Sequence, residues 1–265
     1  MKIMKIGLVQ ASAEKDIRKN IDTIKAYVLD AKNRGCQVLC FPECFLTGYF
    51  PEEAEKLAVL KDCKEMNLLL DLAVSNKIDL LVGFMELKNH KNYITHAVFK
   101  SNGEYEYYQK THLGEKEALY FSEGDKLNVL KLSNGTKIGF QLCVEIHFLE
   151  ITKALSLRGA EIVFAPHAVP RAAGNRKNIW GKIVPARSYD NRVYMACCNQ
   201  WDEEKFGGGC MITDPKGDVI AECFDDRADL LVAEVDIEEI RRYHEKDAGK
   251  RYRYYPSMER RELYE

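Results

Sequence analysis

Between residues 14 and 34 the apolar positions Ile17, Ile21, Ile24, Val28 and Ala31 recur at steps of four and three. That spacing lays one apolar stripe along a helix and predicts an amphipathic α-helix. Gly35 follows, a residue that readily ends a helix. Residues 38–41 then form a short unbroken apolar run, read as a strand that stops at Pro42-Glu43. Farther along, Ile138, Phe140 and Leu142 alternate with Gly139, Gln141 and Cys143, so the two sets face opposite ways on a strand. The stretch HFLEITKALSLRGA after it predicts a helix with Phe148, Ile151, Leu155 and Arg158 on one face.

The chain repeats this grammar. NRGCQVLCFPE (33–43) matches LRGAEIVFAPH (157–167) position by position. Each has a helix end, a glycine, two residues, an apolar strand, a proline and a polar residue. Upstream, IGLVQ (6–10) echoes IGFQL (138–142), and downstream NKIDLLVGF (76–84) echoes NRVYMACCN (191–199). Each half closes with a hairpin signal, at Asn102-Gly103 and at Pro215-Lys216-Gly217. Strands alternating with helices favour layered α/β packing. Two similar halves suggest two sheets face to face with helices outside, a four-layer αββα sandwich with an internal pseudo-two-fold. An ordinary open α/β sheet with chance similarity is the alternative. No linker interrupts the pattern, so residues 1–265 read as one domain. The tyrosine-rich stretch 247–265, broken by Pro256, reads as a solvated tail or as one packed across a partner subunit.

Composition narrows the class. Net charge is −2 and 46% of the 265 residues are hydrophobic, which allows a sizeable core and gives no basic field for nucleic acid. No run reaches the roughly 18 apolar residues of a membrane span, and MKIMKIGLVQ lacks the pattern of a signal peptide. The expectation is a cytoplasmic protein. Nine scattered cysteines suit a reducing compartment rather than a disulfide framework. Cys36, Cys40 and Cys44 are spaced by four, but they fall on and around a strand, where that spacing does not gather thiols. No metal is expected.

Three residues are candidates for chemistry. Cys143 lies at a strand-to-helix junction, where backbone N–H groups and a helix N-terminus lower a thiol pKa and bind an oxyanion. Taken alone, a buried strand cysteine is the commoner reading. Glu43 ends the corresponding strand of the first half. It is either an exposed loop carboxylate or a general base whose pKa apolar neighbours raise. By the repeat, Glu43 and His167 occupy equivalent strand ends, so both are candidates for the rim of one cleft. Lys110 ends the second hairpin strand, as a surface charge or as a fixed cation facing that cleft.

FPECFLTGY around Glu43, YYQKTHL around Lys110 and FQLCVEIHFLE around Cys143 resemble, in order and spacing, the three signature segments of the nitrilase (carbon–nitrogen hydrolase) superfamily. The resemblance extends over nearly the whole chain. It implies the αββα fold, a Glu43–Lys110–Cys143 triad and a second glutamate, for which Glu117, four before Phe121, matches best and Glu115 is the alternative. It implies hydrolysis of a small amide or N-carbamoyl compound through a Cys143 thioester, with no metal or organic cofactor. Lys110 and the Val144 N–H would hold the oxyanion. A nitrilase acting on a small nitrile, or a non-catalytic binding protein on the same fold, are the alternatives. A homodimer or larger assembly is also implied, with the tail and an apolar patch around Trp180 as candidate surfaces. Two departures stand out. Leu149 replaces a usual proline, which a first helical turn tolerates, and Val144 replaces an aromatic, which alters pocket shape. For the substrate, Tyr49, His147 and Trp180 are candidate lining residues, and His167 and Arg171 are candidate partners of a carboxylate. Asn199 reads as a turn cap, and Cys197 and Cys198 as strand packing.

Overall fold

The computed structural model describes residues 3–245 and 253–263. In chain order the elements of the first half are β1 (Ile3–Gln10), α1 (Ile17–Asn33), β2 (Val38–Cys40), α2 (Ala54–Leu57), α3 (Lys64–Asn76), β3 (Asp79–Lys88), β4 (Lys91–Phe99) and β5 (Tyr105–Gln109). Those of the second are β6 (Leu130–Lys131), β7 (Lys137–Phe140), α4 (Leu149–Leu157), β8 (Ile162–His167), α5 (Arg176–Asn191), β9 (Tyr194–Asn199), β10 (Cys210–Thr213), β11 (Val219–Cys223), β12 (Asp229–Asp236) and α6 (Ile237–His244).

Two six-stranded mixed sheets result, ordered β12-β1-β2-β3-β4-β5 and β11-β10-β9-β8-β7-β6. Advancing each strand number by six maps the first order onto the second, with β12 standing where β6 stands. The internal repeat is therefore real, and β12 of the second half completes the edge of the first sheet. Parallel pairing at the centre, β1-β2-β3 and β7-β8-β9, is flanked by antiparallel hairpins on the same side of each sheet.

Local chemistry explains the matching crossovers. Asp16 caps α1 by accepting from the Arg18 N–H at 2.9 Å. The helix buries Ile21, Ile24, Val28 and Ala31, while Ile17 in its first turn is only partly covered. Gly35 then takes φ +75°, and Cys36 N–H closes on Ala31 O. Gly159 does the same after α4, at φ +90°, with Ala160 N–H on Leu155 O. A Cβ is disfavoured in such a left-handed cap, so the glycine fixes where each returning strand starts.

The inner faces of the sheets meet through Leu8, Cys40, Phe140, Phe164, Cys198 and Cys210, all fully buried. Cys40 and Cys198, one from each sheet, lie 4.0 Å apart sulfur to sulfur. α1 and α3 cover the outer face of the first sheet, and α4 and α5 that of the second. Each fully buried Leu or Phe in these layers contributes roughly 1.5–3 kcal/mol. Among the described residues no helix is long and apolar enough to cross a membrane.

Three expectations change. Cys143 to His147 form a 3-10 turn before α4 begins at Leu149. The tighter turn shifts the helical phase, so Phe148 is the exposed N-cap and Arg158 the C-cap, and Ile151, Thr152, Leu155 and Ser156 form the buried face. Trp180 is fully buried within its own chain, against His167 and Phe224, and offers no surface to a partner. The tail over 253–263 lies on this chain's own α4 and α5: Tyr254 meets Ser156 at 2.7 Å, Arg192 donates to Arg253 O, and Glu259 pairs with Lys153. The rest of 247–265 lies outside the described residues.

Candidate active site

Glu43 sits three residues past β2, where the end of that strand meets the end of β8. Its N–H donates to His167 O at 3.3 Å, and Gln200, just beyond β9, donates from Nε2 to Glu43 O at 2.8 Å. Two strand ends of the second half thus clamp its backbone. Lys110 follows β5, with its N–H on Ile94 O and its own carbonyl accepting from Gly124. Glu117 opens a 3-10 turn over 117–119.

These three side chains converge away from water. Lys110 Nζ lies 2.8 Å from Glu43 Oε1 and 2.7 Å from Glu117 Oε1, and all three residues are at most 4% exposed. Glu117 is fixed further by the Tyr49 hydroxyl at 2.9 Å and the Gly114 N–H at 2.7 Å. Glu115 is exposed at the cleft mouth, so the carboxylate that reaches Lys110 is that of Glu117. Glu43 Oε2 is buried and has no hydrogen-bond partner among the described residues. An unpaired buried carboxylate oxygen is costly to maintain.

Cys143 begins its turn at φ +48°. For a residue with a Cβ such backbone costs on the order of 1–3 kcal/mol and persists only where neighbours over-determine it. Here they do. Gln141 donates from Nε2 to Glu145 O and Phe148 O, and accepts from Thr152 on its Oε1. Glu145 Oε2 takes the Leu142 N–H at 2.7 Å. Its other oxygen accepts from Tyr108, from the Thr111 N–H and hydroxyl, and from the His112 N–H. Glu145 is thus a buried tie between the cysteine turn and the segment carrying Lys110, a role that sequence reasoning missed. Replacing it with Gln turns one of its two acceptor oxygens into a donor facing donors. We expect a loss of about 1–3 kcal/mol in denaturant melts, together with lower turnover.

The charge states follow from burial. Burial raises the Glu43 carboxyl to about 7; the Lys110 cation opposes the rise and Glu117 adds to it. Burial acts against the Lys110 cation, but Glu43, Cys143 and Glu117 outweigh it and hold its pKa above the ordinary lysine value. Burial and then the Glu43 carboxylate push the Cys143 thiol well up, against Lys110 and a hydrogen bond from the Ala168 backbone. This reverses the expectation of a thiol pre-ionised by its turn. Sulfur, base and cation share one electrostatic site in which the resting thiol keeps its proton.

Two cavities share Cys143, Val144 and Val169. One, of about 500 Å³, runs past Tyr49, Glu117 and Pro170 to Lys205. The other, of about 340 Å³, runs past His147, His167 and Trp180 to Arg176. Val144 and Tyr49 therefore line the first, and Val144 and His147 the second. His167 reaches it too, but burial lowers its pKa to about 3. It stands there as a neutral ring, not as a cation for a carboxylate. Arg171 turns away: its guanidinium holds Asp202 O at 2.6 Å and the Asp226 carboxylate at 2.5 Å. Arg176, five residues on, is the arginine that faces the cavity. Asn199 bonds Val169 and Gly208 and pins the loops around the site, and Cys197 and Cys198 are buried in β9.

Residues 5–245 match the model of the carbon-nitrogen hydrolase family. The chain belongs to the carbon-nitrogen hydrolase family. Among its relatives, this carbon-nitrogen hydrolase is 28% identical to omega-amidase NIT2-A of Xenopus laevis, over 98% of this chain and 96% of that one. It is 26% identical to the N-carbamoylputrescine amidase of Arabidopsis thaliana, over 89% and 87% respectively. An amidase from Nesterenkonia sp. superposes with a TM-score of 0.84 at 26% identity, covering 98% of this chain and 95% of that one. A mutant of the Nesterenkonia amidase shows covalent addition of the acetamide moiety of fluoroacetamide at its active site cysteine.

Proposed function

We propose that this carbon-nitrogen hydrolase cleaves a small amide or N-carbamoyl compound through a thioester on Cys143. The observation that carries the reading is the buried Lys110 fork between Glu43 and Glu117 beside that thiol, with Glu43 Oε2 left unpaired. Glu43 takes the thiol proton as the sulfur attacks the carbonyl carbon. Charge then develops on the carbonyl oxygen, where Lys110 Nζ and the Val144 N–H stabilise it. The C–N bond breaks as Glu43 returns its proton to the departing nitrogen, releasing ammonia or an amine. Glu43 next deprotonates water, which attacks the thioester. The C–S bond breaks, the acid leaves and the thiol regains its proton. Glu117 fixes the position of Lys110 throughout.

A panel of amides, carbamoyl compounds and matched nitriles, assayed for ammonia and by intact mass, tests this. An amide or carbamoyl substrate with an acyl adduct at Cys143 supports it. Turnover of nitriles alone overturns it in favour of a nitrilase. No turnover, with Cys143 alkylating no faster than a free thiol, overturns it in favour of a binding protein.

The pH dependence has a definite sign. Glu43 acts as a base in its ionised form and its pKa is raised to about 7. Below that value kcat/KM falls about tenfold per pH unit, and it levels off above. A rate independent of pH between 5 and 8 would count against Glu43 as the base.

A further inference from the structure

The cavity between Cys143 and the start of α5 holds polar groups that the proposed chemistry leaves unused. Much of its wall is apolar, including Ile146, Ile179 and Ile183. Besides Cys143 and the exposed His147, three polar side chains line it. His167 Nδ1 is 2.7 Å from Ala165 O, and a carbonyl only accepts, so Nδ1 carries the hydrogen. Nε2 is then a lone-pair acceptor, buried and without a partner among the described residues. Such a group does not bind a carboxylate. Trp180 Nε1–H is its opposite, a buried donor without an acceptor among them.

Arg176 is the third. It donates from Nη2 to Ala173 O at 2.6 Å and from Nε to Gly174 O at 3.4 Å. Both acceptors are neutral, so these bonds orient the guanidinium without balancing its charge. Its neighbours differ: Arg171 is paired with Asp226 and Lys177 with Glu222. No carboxylate among the described residues lies within ion-pair distance of Arg176, and a guanidinium has five N–H donors, of which these two carbonyls do not use all. A half-buried, unbalanced cation at the end of an apolar cavity is complementary to an acceptor-only anion.

We propose that this cavity is a specificity subsite for an amide whose non-reacting arm ends in a carboxylate, held by Arg176. The proposal rests on the reading of Cys143 as the nucleophile, because it places the reacting carbonyl at that end of the cavity.

Succinamate and butyramide differ at the arm end by a carboxylate against a methyl group. We expect kcat/KM to favour succinamate by roughly 10- to 100-fold, the range of a charge-assisted hydrogen bond, mostly through KM. Arg176→Gln should bring that ratio close to one, and Arg176→Lys should restore part of it. Arg176→Glu should move the preference towards 4-aminobutyramide, an effect that a merely structural role for the arginine does not produce. A second readout needs no turnover: calorimetric titration of succinamate into the Cys143→Ala protein, with and without Arg176→Gln. Arg176-dependent binding there supports the subsite even if no amide is hydrolysed, in which case the hydrolytic reading falls alone. Equal kcat/KM for the two amides, a ratio unmoved by Arg176→Gln, or succinamate binding indifferent to Arg176 overturns the subsite.

Discussion

Replacing Cys143 with Ala lowers turnover by roughly four to six orders of magnitude and leaves the fold intact. The size follows from losing the nucleophile outright: Glu43, Lys110 and Glu117 then polarise a carbonyl that nothing attacks. Serine does not rescue the reaction. Its hydroxyl is far harder to ionise than a thiol, and Glu43, raised only to about 7, is too weak a base to compensate. The stability arm of the same experiment is separable, because the residue sits at φ +48°. Alanine keeps the strain of a Cβ in left-handed backbone, whereas glycine relieves it. Cys143→Gly should therefore be as inactive as Cys143→Ala yet more stable, by about 1 kcal/mol in denaturant melts. Retained hydrolysis in either variant refutes the covalent mechanism. A glycine variant less stable than the alanine one refutes the argument from strain.

The parts of the molecule legible in its sequence are those written by short-range rules. Gly35 and Gly159 stop two helices with the same left-handed turn, and each is followed after two residues by an apolar strand, so one half predicted the other. From that correspondence Glu43 and His167 fall at neighbouring strand ends, and the backbone bond between them joins the sheets there. What was not legible depends on three-dimensional surroundings. Arg171 lies just past a strand end, as a ligand-binding arginine would, but Pro170 pairs with Phe206 and carries the chain sideways. Asp226, 55 residues away, then takes the guanidinium. Arg176 faces the cavity because α5 starts there, capped by Asn175, and periodicity does not say which way a first turn points.

Charge states were hidden for a related reason. A strand-to-helix junction suggests a lowered thiol pKa, which holds when water and a helix dipole dominate. At Cys143 burial and a nearby carboxylate dominate, and the shift is upward. The same burial makes His167 neutral and so removes it as an anion partner. Glu145 escaped notice because its five donors come from residues three to 37 positions away and converge only in the folded chain. The consequence for mechanism is specific. In the proposed mechanism a thiol that keeps its proton at rest needs its base at the moment of attack, so proton transfer to Glu43 should accompany C–S bond formation.

In the proposed mechanism Lys110 serves both catalysis and stability, and Lys110→Met should damage both. In the folded protein its ammonium pairs with two buried carboxyl groups at 2.8 and 2.7 Å. Methionine fills the space but leaves the charges. Removing one partner of a buried ionic cluster costs about 3–5 kcal/mol, because what remains is an uncompensated buried charge. Glu117 keeps the Tyr49 hydroxyl and the Gly114 N–H. Glu43 keeps no side-chain partner, since its other oxygen already has none, so the penalty concentrates there. The pH sign follows. Lys110 is the largest influence opposing the upward shift of Glu43, so in the variant that pKa rises further above its unfolded value. Protonation then favours the fold, and the deficit opens as pH rises through the folded pKa. Lys110→Met should approach parental stability near pH 5 and fall well short at pH 8. Adding Glu43→Gln should recover part of the loss at pH 8, because the double variant no longer buries that charge. Loss of the oxyanion cation should lower kcat by a further 10²- to 10³-fold in folded protein. A deficit that is the same at both pH values, or a double variant no more stable than Lys110→Met, would show that Lys110 acts by packing alone.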